Sequence, residues 1–112
     1  YLIHQPYGDY YGSWKAMEEL YQQGKSKQFG VCNFSPERFI DLYMNSLIHP
    51  MINQLEFLSF YQQKNQKCVL KQCDCLLEAW GPLNEGQCDI FHHPMLLDIA
   101  KKTSKNQFHK LF

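Results

Sequence analysis

Four times in succession a short apolar run is followed by a stretch whose apolar residues recur every three or four positions, and this alternation limits the available folds more than any other feature. Tyr1 to His4 reads as a buried strand. It is ended by Gln5-Pro6-Tyr7-Gly8-Asp9, where Pro6 removes a ladder donor. Trp14, Met17, Leu20 and Tyr21 then form one helical stripe, with Gly24 where a C-cap belongs. A second strand is expected at Gln28 to Val31. Ser35-Pro36-Glu37 opens the next helix, with Ser35 accepting from an orphan N–H and Pro36 lacking a donor that would be unpaired there anyway. That helix turns Phe39, Leu42 and Tyr43 inward and ends before Pro50. Met51 to Phe57 reads as the third strand and Gln62 to Gln72 as a polar helix with only Val69 and Leu70 clearly apolar. Leu76 to Ala79 is the fourth strand, stopped by Trp80-Gly81-Pro82. After a loop from Asn84 to Asp89, His93-Pro94 opens a last helix through Lys102, with Leu96, Leu97, Ile99 and Ala100 on its apolar side.

Strands alternating with helices through short connections imply parallel strands and right-handed crossovers, the pattern of both a doubly wound sheet and a barrel. Gly8, Gly12 and Gly24 do not make the glycine fingerprint of a dinucleotide-binding doubly wound fold, which favours the barrel. The chain has 112 residues, whereas a complete (β/α)8 barrel needs about 250. The expected fold is therefore α/β, a partial TIM barrel of about four consecutive βα units that does not close. Residues 1–112 form one partial domain, and the opening within Tyr1-Leu2-Ile3 suggests a border cut through a strand.

Eleven basic and eleven acidic residues leave no net field to attract nucleic acid or an anionic membrane surface. No apolar run is long enough to span a bilayer. Five cysteines, odd in number and irregular in spacing, fit reduced thiols in the cytoplasm better than a secreted disulfide framework.

His4, Cys32 with Asn33, Asn53 with Gln54, and Trp80 all fall at or just beyond the carboxyl ends of the expected strands. In a parallel barrel these ends converge on one mouth, where active sites lie. An indole offers a flat face for a nicotinamide ring. Side-chain amides can match a carboxamide both as donors and as acceptors. An imidazole N–H can donate to a carbonyl oxygen that gathers negative charge. Each residue also has a plainer role. His4 could be a hydrogen-bonded core residue, Asn33 could cap the following helix, and Trp80 could simply pack; Gln54 needs some partner, ligand or backbone.

The stretches Tyr1-Leu2-Ile3-His4-Gln5-Pro6, Gly30-Val31-Cys32-Asn33-Phe34, Asn53-Gln54 and Ala79-Trp80-Gly81-Pro82-Leu83 resemble the aldo-keto reductase family in order and spacing, over residues 1 to about 102. The wording from Gln5 to Trp14 is most similar to bacterial-type relatives of 2,5-diketogluconate reductases. The resemblance implies NADP(H)-dependent reduction of small carbonyl substrates to alcohols on a (β/α)8 barrel. It implies that His4 orients the substrate carbonyl, that Asn33 and Gln54 hold the cofactor carboxamide, that Trp80 stands where an aromatic ring stacks on nicotinamide, and that Gly81 and Leu83 lie beside the diphosphate. It also implies that Cys32 binds the cofactor carboxamide from a position where the family commonly has serine, with that hydrogen bond weakened because a thiol donates poorly. The family's catalytic tyrosine, lysine and aspartate belong to strands that would precede Tyr1, and the segment for the adenosine phosphate would follow the last helix. Ser104 to Phe112 loses the resemblance, and Lys105 has no assignable phosphate role.

On this reading the isolated piece is expected to be inactive. Two other readings stand beside it. One is a truncated or decayed, non-catalytic protein that acts through association, since an unclosed barrel leaves two strand edges unpaired. The other is a metal-binding module built on Cys68, Cys73, Cys75, His92 and His93, although C-x4-C-x-C lacks the paired knuckles of zinc sites.

Overall fold

A computed structural model of the chain describes residues 1–86 and 89–103; Cys88 and the segment 104–112, with Lys105, lie outside the described residues. The elements run β1 (Leu2–Ile3), α1 (Tyr10–Gln22), β2 (Gly30–Cys32), α2 (Pro36–Asn45), β3 (Ile52–Glu56), α3 (Lys64–Gln72), β4 (Leu76–Trp80) and α4 (Pro94–Thr103). The four strands form one wholly parallel sheet in the sequential order β1-β2-β3-β4. Sequential order with helices gathered on one face is the winding of a barrel wall, and β1 and β4 are its two open edges.

The helix boundaries follow from local chemistry. Asp9 caps α1 by accepting from the Gly12 N–H at 2.8 Å. Gly24, at φ +70°, provides the left-handed turn that ends this helix. Ser35 caps α2 through the Arg38 N–H, and Pro36 occupies its first turn as expected. Strand limits shift more. β2 begins at Gly30 rather than Gln28 and reaches Cys32, while β4 extends to Trp80, so two residues expected beyond strand ends lie within strands. The stretch from Asn84 to Asp89, expected as loop, begins with a 3-10 turn at Asn84–Gly86, and another follows at Ile90–His92.

Strand alternation sends Ile3, Val31, Leu55 and Leu77 to one side of the sheet, where they meet Trp14 of α1, Phe39 and Leu42 of α2, and Leu70 of α3. This is the core. At Gly30 a Cβ would lie 2.2 Å from the Ile52 carbonyl oxygen, so β2 approaches β3 closely only because position 30 carries no side chain. Trp14, Met17 and Tyr21 of the helical stripe reach the core, and the same inward face of α1 also carries Glu18, which is 7% exposed. Its Oε1 accepts from the Leu47 and Ile48 N–H groups, each at 2.9 Å, while the Trp14 indole donates to the Ile48 carbonyl at 3.1 Å. The link from α2 to β3 is thus held to α1 by polar bonds.

Candidate active site at the strand ends

The register of the sheet determines which strand-end residues meet. Cys32 pairs with Gln54, and Gln54 with Glu78, so three polar side chains stand side by side on β2, β3 and β4. One step towards the carboxyl ends, Glu56 pairs with Trp80. These residues alternate with Val31, Asn53, Leu55 and Leu77, so they project from the face opposite the helices, the interior side of a barrel wall. Asn53 takes the other direction. It is fully buried and donates from Nδ2 to the Phe34 carbonyl at 3.0 Å, a structural role under the helix layer.

Asn33 follows β2 in a left-handed conformation, φ 59°, which asparagine tolerates better than most residues. Its Nδ2 donates to the His4 carbonyl at 3.3 Å, and its Oδ1 accepts from the Trp80 indole at 2.9 Å. The amide therefore joins the ends of β1, β2 and β4. It does not cap α2, which is Ser35's work. His4 itself is exposed just beyond β1.

Gln54 finds its partners in neighbouring side chains rather than in backbone. Its Nε2 donates to Glu78 Oε1 at 2.7 Å, and its Oε1 receives the Cys32 thiol at 3.6 Å. The Cys32 thiol is held above its usual pKa, chiefly by burial and secondly by the Glu78 carboxylate, so it remains protonated and able to donate. Each side-chain amide has two N–H groups and two lone pairs. After these bonds, Asn33 and Gln54 each keep a donor and an acceptor for a ligand.

Two cavities open at this end of the sheet. One, of about 340 Å³, is lined by Asn33, Trp80, Glu56, the N-cap Ser35 and Pro36 of α2, together with Tyr61, Gln63 and Gln66. The other, of about 240 Å³, is lined by Glu56, Leu58, Trp80, Gly81, Asn84 and Glu85. Trp80 and Glu56 border both. Gly81, at φ +68°, turns the chain sharply after β4 and forms part of the second wall. Leu83 lies in the same turn without lining either cavity; its carbonyl accepts from Gly86 N–H at 3.3 Å.

The strand ends thus bring together Cys32, Asn33, Gln54 and Trp80, with His4 joined through its carbonyl. They also bring in Glu56 and Glu78, which sequence reading left as ordinary strand residues. Their period-two spacing from Trp80 and Gln54 was the available signal. The sulfur and imidazole groups behave otherwise. Among the described residues no group of three or more His, Cys, Asp and Glu could hold a metal ion, so Cys68, Cys73, Cys75, His92 and His93 do not gather into a site. Among the same residues, no helix is long and apolar enough to cross a membrane.

The family model described as the Aldo/keto reductase family matches residues 1–104. An uncharacterized oxidoreductase, YtbE, of Bacillus subtilis is 41% identical over 95% of the chain, which covers 38% of that protein. Among solved structures, an aldo-keto reductase from a Medee basin deep-sea metagenome library superposes with a TM-score of 0.89 at 34% identity, covering 96% of this chain and 41% of that one. A Bombyx mori aldo-keto reductase in complex with NADP has a TM-score of 0.88 at 27% identity, covering 99% of this chain and 42% of its own. The chain spans about two fifths of the length of these proteins.

Proposed function

The chain belongs to the aldo/keto reductase family, and from that premise we propose that it forms the nicotinamide-facing part of an NADP(H)-dependent site that reduces small aldehydes or ketones. The observation that carries this reading is the pair of side-chain amides, Asn33 and Gln54, each with an unused donor and acceptor, on neighbouring strand ends beside the partly exposed Trp80. A carboxamide needs that combination of donors and acceptors, and an indole held by its edge keeps a face for a flat ring. The residues present fit the cofactor's nicotinamide end. When bound, NADPH supplies the hydride. Asn33 and Gln54 hold the carboxamide, Trp80 limits the tilt of the ring, and Gly81 lets backbone come close beside the diphosphate, with Leu83 in the same turn. Cys32 supports Gln54 rather than meeting the carboxamide itself. His4 directs its imidazole N–H at the substrate carbonyl oxygen, where negative charge develops.

These 112 residues by themselves are proposed to bind cofactor without turning over a carbonyl, because no tyrosine among them takes the family's proton-donating role. Calorimetric titration with NADPH tests the first part, with saturable binding expected. No heat of binding at millimolar cofactor would sink it. Absorbance at the dihydronicotinamide band in the presence of several carbonyl compounds tests the second, with no decline expected.

A second reading, action through association, is favoured by the open edges β1 and β4 and by Leu76, which is 65% exposed.

A further inference from the structure

Resting on the cofactor reading above, we propose that Glu78 is a positioning residue that locks the Gln54 amide with its oxygen turned towards β2, so that Gln54 receives the nitrogen end of the carboxamide. Gln54 lies between Cys32 and Glu78 on adjacent parallel strands, so its amide has one neighbour on each side. A side-chain amide can turn over by half a rotation at little intrinsic cost, and its neighbours decide which end faces which way. A carboxylate only accepts. Glu78 therefore demands the Nε2 of Gln54, and the bond is short and charge-assisted at 2.7 Å.

The oxygen is left facing Cys32, whose thiol donates to it at 3.6 Å. Sulfur is a weak donor and could not hold the amide alone. The Glu78 charge also favours the protonated thiol, so both neighbours enforce one orientation. Asn33 lies at the end of β2, on the oxygen side of Gln54. A carboxamide bound between the two amides meets an acceptor at Gln54 and must present its own N–H group there. Glu78 reaches the cofactor only through Gln54.

The discriminating probe is the 3-acetylpyridine analogue of NADP+, in which a methyl group replaces the carboxamide nitrogen and no N–H can be offered. Calorimetry with NADP+ and with this analogue would be run on the unaltered protein, Gln54→Ala, Glu78→Gln and Glu78→Ala. The unaltered protein is expected to bind the analogue about tenfold more weakly than NADP+, the loss of one good hydrogen bond. Gln54→Ala should bring the two affinities within about twofold. Both Glu78 variants should narrow the gap to within about threefold, because the freed amide can turn its nitrogen towards the analogue's carbonyl oxygen. Glu78→Gln is nearly isosteric and guards against a folding artefact. If the gap collapses in Gln54→Ala but stays near tenfold in both Glu78 variants, the positioning role is overturned and the cofactor reading stands. An equal loss of both ligands in the Glu78 variants, with the gap intact, overturns it as well and leaves a merely structural residue. If the unaltered protein binds neither dinucleotide, the cofactor reading fails and takes the Glu78 proposal with it.

Discussion

The indole N–H of Trp80 donates to the side-chain oxygen of Asn33 across 2.9 Å, tying the end of β4 to the residue that follows β2. The bond fixes the rotation of the indole about its strand and uses one of the two lone pairs on the amide oxygen. Trp80→Phe keeps a flat ring and removes the donor. The expected result is a three- to tenfold rise in the Kd for NADPH, about 1 kcal/mol, with little change in the urea midpoint. Calorimetry reads the first and circular dichroism the second. An unchanged Kd would show that the orientation of the ring is irrelevant to the cofactor.

Asn33 combines a left-handed backbone with a side chain that joins three strand ends. Glycine adopts that backbone more easily but offers no amide. Asn33→Gly is therefore expected to keep the fold and to weaken NADPH binding about tenfold, whereas Asn33→Ala should lose stability as well, by about 1 kcal/mol. Equal stability of the two variants would contradict the strain argument.

Glu18 holds two backbone N–H groups of the segment between α2 and β3. Glu18→Ala leaves both without their acceptor and should cost about 2 kcal/mol in urea unfolding. Glu18→Gln retains a side-chain oxygen able to accept both bonds and should cost less than half as much. If the two substitutions are equally harmful, charge rather than hydrogen bonding is what Glu18 contributes.

Burial pushes the Cys75 thiol up to about 12 from a usual value of 9.0, with the neighbouring Cys73 adding to the shift. The folded state therefore keeps a proton that the unfolded chain loses from about pH 9 upward. Stability due to this group is fully present below pH 9 and is lost as pH rises from about 9 to about 12. Cys75→Ala should flatten that decline in the urea midpoint. Iodoacetamide at pH 8 should label the exposed Cys68 well before Cys75, as peptide mass mapping would reveal.

The edges β1 and β4 carry unpaired ladder groups. Sedimentation velocity on the 112-residue chain is expected to show mass increasing with concentration, and Leu76→Lys, which charges an exposed edge residue, should suppress the increase. A concentration-independent monomer would exclude association through these edges.

The helices were legible because their information is local. Asp9, Ser35-Pro36 and Gly24 act on backbone groups within a few residues, and the apolar stripes need only a period of 3.6. Strand limits were less legible, since β2 ends where its residue pairing with β1 and β3 ends, and those partners lie more than twenty residues away. The buried position of Glu18 on the apolar face of α1 was not legible for the same reason: its two donors come from Leu47 and Ile48.

By itself the sequence determined that four strands would be parallel and joined by helices, and which residues would stand at their carboxyl ends, because alternation and capping are written into consecutive positions. Only the tertiary structure decided the partners. Cross-strand register placed Glu78 against Gln54 and brought the Trp80 indole to Asn33. A one-residue slip in register would have faced each of these side chains the other way. The direction of an amide depends on its neighbour's chemistry across the sheet, and that neighbour is supplied by another strand.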